Sequence, residues 1–244
     1  MNSNATLFCT YTINSYHVDP GGKARLTALA NFLQETAYKH AHSLGLGFQH
    51  LAQNNSAWVL SRLRIQVSEY PKWDDEITIE TWPCGIEKLF ARRDFRIMNK
   101  AGDTIAKAST LWLMVNTETH RPLRIQPDFI KFKTRTDGIF ETSIEKLDIP
   151  GTLDLQRNHK VQYSDLDIVD HVNNVKFVEW CIDTLPREVM LNRSISDFTI
   201  NFISEARIGD EVEIQASNLN ENTILMAGCK TPGLKESFIA RVGF

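Results

Sequence analysis

The chain has 244 residues, 42% hydrophobic and 23% charged, with a net charge of −3 and a pI near 6.2. That composition excludes a disordered chain, a collagenous one and a disulfide-stapled miniprotein. With 27 Lys and Arg against 30 Asp and Glu, a nucleic-acid binder is not expected either. At ~150 residues per average domain, the length fits neither one domain nor two.

Residues 1–12 carry no basic cluster followed by an apolar core, so no signal peptide is expected. No run approaches the ~18 apolar residues of a membrane span. Cys9, Cys84, Cys181 and Cys229 are far apart and form no CxxC pair. They read as reduced, mostly buried thiols of a cytoplasmic protein, with neither a zinc site nor a disulfide framework.

Leu26, Leu29, Leu33, Ala37, Ala41 and Leu44 recur at spacings of three and four, which predicts a helix over 23–44. Gly45 and Gly47 stop it. Strands follow over 58–69, 76–82, 89–98 and 104–115, with a turn at 99–102. Residues 130–155, rich in Lys, Thr, Asp and Glu and containing Pro150-Gly151, read as a linker. It separates an N-terminal repeat (1–140) from a C-terminal one (150–244). In the latter, Val172, Val175, Val178, Ile182 and Leu185 predict a helix over 172–185, ended by Pro186. Strands follow over 197–204, 211–218, 222–229 and 236–242.

The two halves match each other. At an offset of 135, residues 63–79 fall on 198–214 without a gap, with Asp75-Glu-Ile-Thr-Ile79 on Asp210-Glu-Val-Glu-Ile214. Upstream, Asp19 falls on Asp167 at an offset of 148, so the first half has a longer helix and loop. Strand, long helix and antiparallel strands, given twice, predict an α+β tandem (double) hot-dog fold. In it two antiparallel sheets are each wrapped on a long helix. A monomer of such a chain is sufficient, and a homodimer stays open.

Three stretches, taken in order, resemble a family. They are Pro71-Lys-Trp-Asp-Asp-Glu-Ile-Thr-Ile-Glu-Thr-Trp82 with Arg92-Arg-Asp-Phe95, then Ala108-Ser-Thr-Leu-Trp-Leu-Met-Val-Asn116, then Ser164-Asp-Leu-Asp-Ile-Val-Asp-His-Val-Asn-Asn-Val-Lys-Phe177. The pattern is similar to the acyl-acyl carrier protein thioesterases, plant and bacterial, over nearly the whole chain. The resemblance implies hydrolysis of a fatty acyl thioester on carrier protein, with no metal and no organic cofactor.

The resemblance also implies a catalytic Asp and His at Asp167 and His171, before the second helix. There a carboxylate, an imidazole and free helix amides serve thioester hydrolysis, with the backbone N–H groups near His171 and Val172 expected to face the thioester carbonyl. The family's Glu-Cys pair falls on Glu205 and Ala206, so a cysteine acyl-enzyme is not expected. A base-assisted water, helped by Glu205 or Asp167, is. The family's Asn is here Val169, so its polar role is either dispensable or taken by a neighbour, Asn173 or Asp170. Read without the resemblance, Asp167 is a helix cap, Glu205 an exposed strand-end charge and Asn173 and Asn174 local hydrogen-bonders. Cys181 reads as core. His17, His40, His42, His50, His120 and His159 read as incidental.

In the first repeat Tyr70 stands at the position of Glu205 and Lys23 at that of His171. One active site per chain is therefore expected, in the second repeat, with the first shaping the acyl pocket. Leu26, Leu29, Phe32, Leu33 and Trp58 are candidate lining, with core packing as the bland alternative. Acyl carrier protein is acidic, so a basic surface should meet it. Lys88, Arg92, Arg93, Arg121, Arg124, Lys131, Lys133 and Arg135 form the densest basic stretch, with Arg121 and Arg124 the specific candidates. An acyl-CoA thioesterase and a non-catalytic acyl-binding protein remain the alternatives.

Overall fold

Apolar residues at alternate positions decide which face of each strand is buried. The computed structural model describes residues 5–125, 134–149 and 151–244, in two units, Met1–Ile144 and Glu145–Phe244. The first holds β1 (Leu7–Thr12), α1 (Leu26–Ser43), α2 (Phe48–Ala52), β2 (Ser56–Val67), β3 (Glu76–Glu87), β4 (Phe90–Met98), β5 (Thr104–Asn116) and β6 (Pro122–Leu123). The second holds β7 (Asp154–Lys160), α3 (Asn174–Thr184), α4 (Arg187–Asn192), β8 (Asp197–Phe202), β9 (Glu211–Asn220), β10 (Thr223–Thr231) and β11 (Lys235–Gly243).

Within the first unit the antiparallel order is β1-β3-β4-β5-β2, with β6 added beside β5. Within the second it is β7-β9-β10-β11-β8. Counted from each unit's first strand, these are the same order. α1 packs on β1 and β3, and α3 on β7 and β9. The aligned pairs Ile65/Ile200, Ile77/Val212 and Ile79/Ile214 are all fully buried. Each unit is therefore a sheet closed around one helix, the hot-dog fold twice.

The equivalence reaches single hydrogen bonds. Ala24 N–H donates to Pro71 O at 2.8 Å, and Val172 N–H to Ala206 O at 2.9 Å. Asp19 N–H donates to Lys23 O and Asp167 N–H to His171 O, both at 2.8 Å. The corner of the first loop is Gly22 at φ 75°, that of the second Asp170 at φ 61°, a left-handed position that Asp tolerates.

α3 presents Phe177 to Phe238 at 5.4 Å between ring centres. Phe238 faces Gly228 across the β10–β11 ladder, and a Cβ on that glycine would stand 2.1 Å from the ring. Glycine there is a packing requirement.

The stretch expected as a linker is divided. Residues 130–133 and 150 lie outside the described residues, and with them Lys131 and Lys133. Residues 134–144 are strapped onto the first unit. Buried Asp94 accepts from Arg92 Nε at 3.0 Å, Ser109 Oγ at 2.6 Å and the Ile139 amide at 2.7 Å. Arg62 donates to Ile144 O at 2.7 Å. Residues 145–149 belong to the second unit, where the Leu147 amide donates to Asn201 Oδ1 at 2.7 Å and Leu147 packs with Leu225 and Ile239.

Candidate active site

β7 leads through a tight turn at Tyr163–Asp165 into a loop whose ends are bridged, Leu166 to Val172, before α3 begins. The turn is anchored by buried Asp165, which accepts from the Gln162 amide at 2.8 Å and lies 2.9 Å from His159 Nε2. His159 also lies against Trp180, at 4.2 Å between ring centres. So His159, which reads as incidental in the sequence, holds the base of the loop. His40 is likewise engaged, accepting from Arg93 Nη1 through Nδ1 at 2.8 Å.

The loop presents His171 half-buried, and its Nε2 is 3.3 Å from Glu205 Oε2. Glu205 follows β8, and the bond from Val172 N–H to Ala206 O draws the two segments together. The two stand at ion-pair distance, and a carboxylate can only accept, so a neutral imidazole that donates to it does so from Nε2–H. Nδ1 then bears the lone pair, and it has no partner among the described residues.

The other candidates are placed differently. Asp167 Oδ1 accepts from the Val169 amide at 3.0 Å, which shapes the loop rather than capping the helix. The cap is Asn173, whose Oδ1 accepts from the Val175 amide at 2.9 Å. Its amide group keeps two donor hydrogens. Ala206 is fully buried and has no group to offer a substrate.

The oxyanion expectation needs correction. The Val172 amide is bonded to Ala206 O and the Asn173 amide to Asp165 O at 2.9 Å, because the loop must be closed before the helix can start. Among the described residues the amides of Ile168, within the loop, and of His171 and Asn174, at the start of the helix, are without an acceptor.

Cys181 lies fully buried on α3, and burial pushes its thiol well above the ordinary range, as suits a core residue. Leu29 and Leu33 are buried along α1. Trp58 donates from Nε1 to Leu46 O at 3.2 Å and packs on Leu51, Met114 and Ile125.

The basic stretch is not one surface. Arg92 is held by Asp94, and Arg135 by Glu80 and Asp137. Arg93 donates to His40 and to Thr81 Oγ1, and burial pulls its guanidinium down to about 10. Lys88, Arg121 and Arg124 are exposed. Sequence reading also missed Arg207 and Lys230. Arg207 Nη2 donates to Glu205 Oε1 at 2.8 Å, and Lys230 Nζ to Glu205 O at 2.7 Å.

Residues 6–132 match the profile of the acyl-ACP thioesterase N-terminal domain and residues 152–232 that of the C-terminal domain. A dodecanoyl-[acyl-carrier-protein] hydrolase of Cinnamomum camphora is 31% identical over 211 residues, covering 80% of this chain and 55% of the relative. A palmitoyl-acyl carrier protein thioesterase of Gossypium hirsutum is 29% identical over 209 residues, covering 80% and 51%. The chain spans about half the length of these plant relatives. Among solved structures, an acyl-ACP thioesterase from Bacteroides thetaiotaomicron superposes with a TM-score of 0.92 at 26% identity, over 100% of both chains. A 12:0-ACP thioesterase from Umbellularia californica does so at 0.86 and 25%, over 98% of this chain and 97% of the other.

Proposed function

Because the chain belongs to the acyl-ACP thioesterase family, we propose that it hydrolyses the thioester of a fatty acyl group on acyl carrier protein. The observation that carries the chemistry is the pairing of His171 Nε2 with Glu205 Oε2 at the N-terminal end of α3. In this reading Glu205 orients the imidazole and His171 Nδ1 takes a proton from water. The resulting hydroxide adds to the acyl carbonyl, and the oxyanion meets the positive end of α3 at the amides of His171 and Asn174. The tetrahedral species then collapses, breaking the C–S bond. The imidazolium returns its proton to the departing thiolate, giving free fatty acid and carrier thiol.

Asp167 sets the loop that carries His171, and Asn173 starts the helix while its amide hydrogens remain available to donate. Leu29 and Leu33 remain the candidates for acyl contact in the first unit, with Trp58 further along the same unit. For the carrier, exposed Arg121 and Arg124, together with Lys88, are the cations of the basic stretch that, among the described residues, are free to meet an acidic partner.

Thiol release from a chain-length series of acyl-ACP and acyl-CoA tests this. Glu205→Ala is expected to lower kcat on acyl-ACP by about 100-fold or more, because His171 without its orienting carboxylate no longer serves as the base. Arg121→Glu with Arg124→Glu is expected to raise KM for acyl-ACP alone. Turnover of acyl-CoA in preference to acyl-ACP would assign the other thioesterase class, and turnover of neither would leave an acyl-binding protein.

A further inference from the structure

Glu205 is held on the side away from His171, and what holds it bears on catalysis. Its two carboxylate oxygens are divided between neighbours. Oε1 accepts from Arg207 Nη2 at 2.8 Å, while Oε2 is the oxygen 3.3 Å from His171 Nε2. The backbone of the same segment is fixed independently. Lys230 Nζ donates to the Glu205 carbonyl at 2.7 Å, and the Arg207 amide donates to Asp210 Oδ2 at 3.0 Å.

We propose that Arg207 is a positioning residue for the hydrolysis. Its guanidinium fixes one oxygen of Glu205 so that the other stays turned to His171, which keeps the imidazole hydrogen on Nε2 and the Nδ1 lone pair toward water. The inference rests on the reading in which Glu205 orients His171. Glu205 needs such a restraint, since its side chain is 44% exposed and a glutamate in water samples several rotamers. Arg207 is 54% exposed, and an ion pair so open adds little to stability. What the pair contributes is geometry.

The first repeat supplies an internal control. At the offset of 135, Lys72 stands where Arg207 does, and its amide donates to Asp75 Oδ2 at 2.7 Å just as the Arg207 amide does to Asp210. But Tyr70 replaces Glu205 and Lys23 replaces His171. The backbone bond is thus common to both repeats and belongs to the fold. The guanidinium–carboxylate contact occurs in the repeat that has the imidazole.

The test is steady-state turnover of acyl-ACP by the full chain. Arg207→Ala is expected to lower kcat about 10- to 100-fold, the cost of a misplaced catalytic group, with KM and the thermal midpoint unchanged. Arg207→Lys should recover only part of kcat, because an ammonium restores the charge without the planar fork. In a Glu205→Ala background, Arg207→Ala should cause no further loss. Wild-type kcat in Arg207→Ala beside an impaired Glu205→Ala would overturn the role of Arg207 and leave that of Glu205 standing. So would a rise in KM alone, or a loss undiminished in the double variant. Full activity in Glu205→Ala would overturn the underlying mechanism and this inference together.

Discussion

At the scale of single residues, the contrast between His171 and Cys181 shows how position decides chemistry. Both belong to the α3 region, yet one meets a carboxylate at the open end of the helix and the other lies in the core with its thiol pushed up. Cys84 shows the same effect. Burial, and then the nearby Asp94 carboxylate, push its thiol from 9.0 up to about 12. A thiol raised in the folded state keeps its proton where the unfolded chain has lost it, so its contribution is intact below about pH 9 and falls as pH rises toward 12. We expect the urea midpoint to drop across that window, and to drop less in Cys84→Ser. Asp167 and Glu205 are both carboxylates beside the same loop, and the sequence treats them alike as bases. They differ because Asp167 satisfies a backbone amide two residues away, whereas Glu205 reaches His171 from the segment after β8. His159 was unreadable for a related reason: its partner Asp165 comes into reach only when β7 and the turn after it are folded.

At the scale of elements, periodicity carried most of the fold. The predicted helices over 23–44 and 172–185 become Leu26–Ser43 and Asn174–Thr184. The first is trimmed because residues 23–25 extend to bridge the strand segment at Pro71–Lys72, and the second because Val172 does the same toward Ala206. The eight strands given bounds by the sequence are all present. β1 and β7 carried too little apolar alternation to be delimited; both are edge strands with one hydrogen-bonded neighbour. The strap over 134–144 was illegible for a different reason. Its polar composition reads as linker, but its backbone satisfies a buried charge. Asp94 is fully buried and balanced by Arg92, Ser109 and the Ile139 amide. Asp94→Asn leaves the Arg92 guanidinium with Glu87 Oε1, at 3.5 Å, as its remaining counter-charge, and is expected to cost about 3 kcal/mol in a denaturant titration.

At the scale of the whole chain, the two repeats share their fold but not the residues proposed for the chemistry. The same turn, the same bridge and the same strand order recur, while Lys23 and Tyr70 stand where His171 and Glu205 do. Lys23→Ala and Tyr70→Phe are therefore expected to leave kcat on acyl-ACP within about twofold of wild type, whereas His171→Ala loses it by the ~100-fold or more of a missing base. Such measurements on purified variants would separate the two repeats directly. The sequence by itself determined the repeat, the class of fold and a set of candidate site residues. Apolar period, turn residues and internal offset are local quantities, written along the chain. Only the tertiary structure decided which oxygen of Glu205 meets His171, which amides stay free after the loop closes, and that Arg92, Arg93 and Arg135 serve the interior of the first unit. Those outcomes depend on which polar groups reach each other once water is displaced, and a buried charge or amide takes whatever partner the fold brings within about 3 Å.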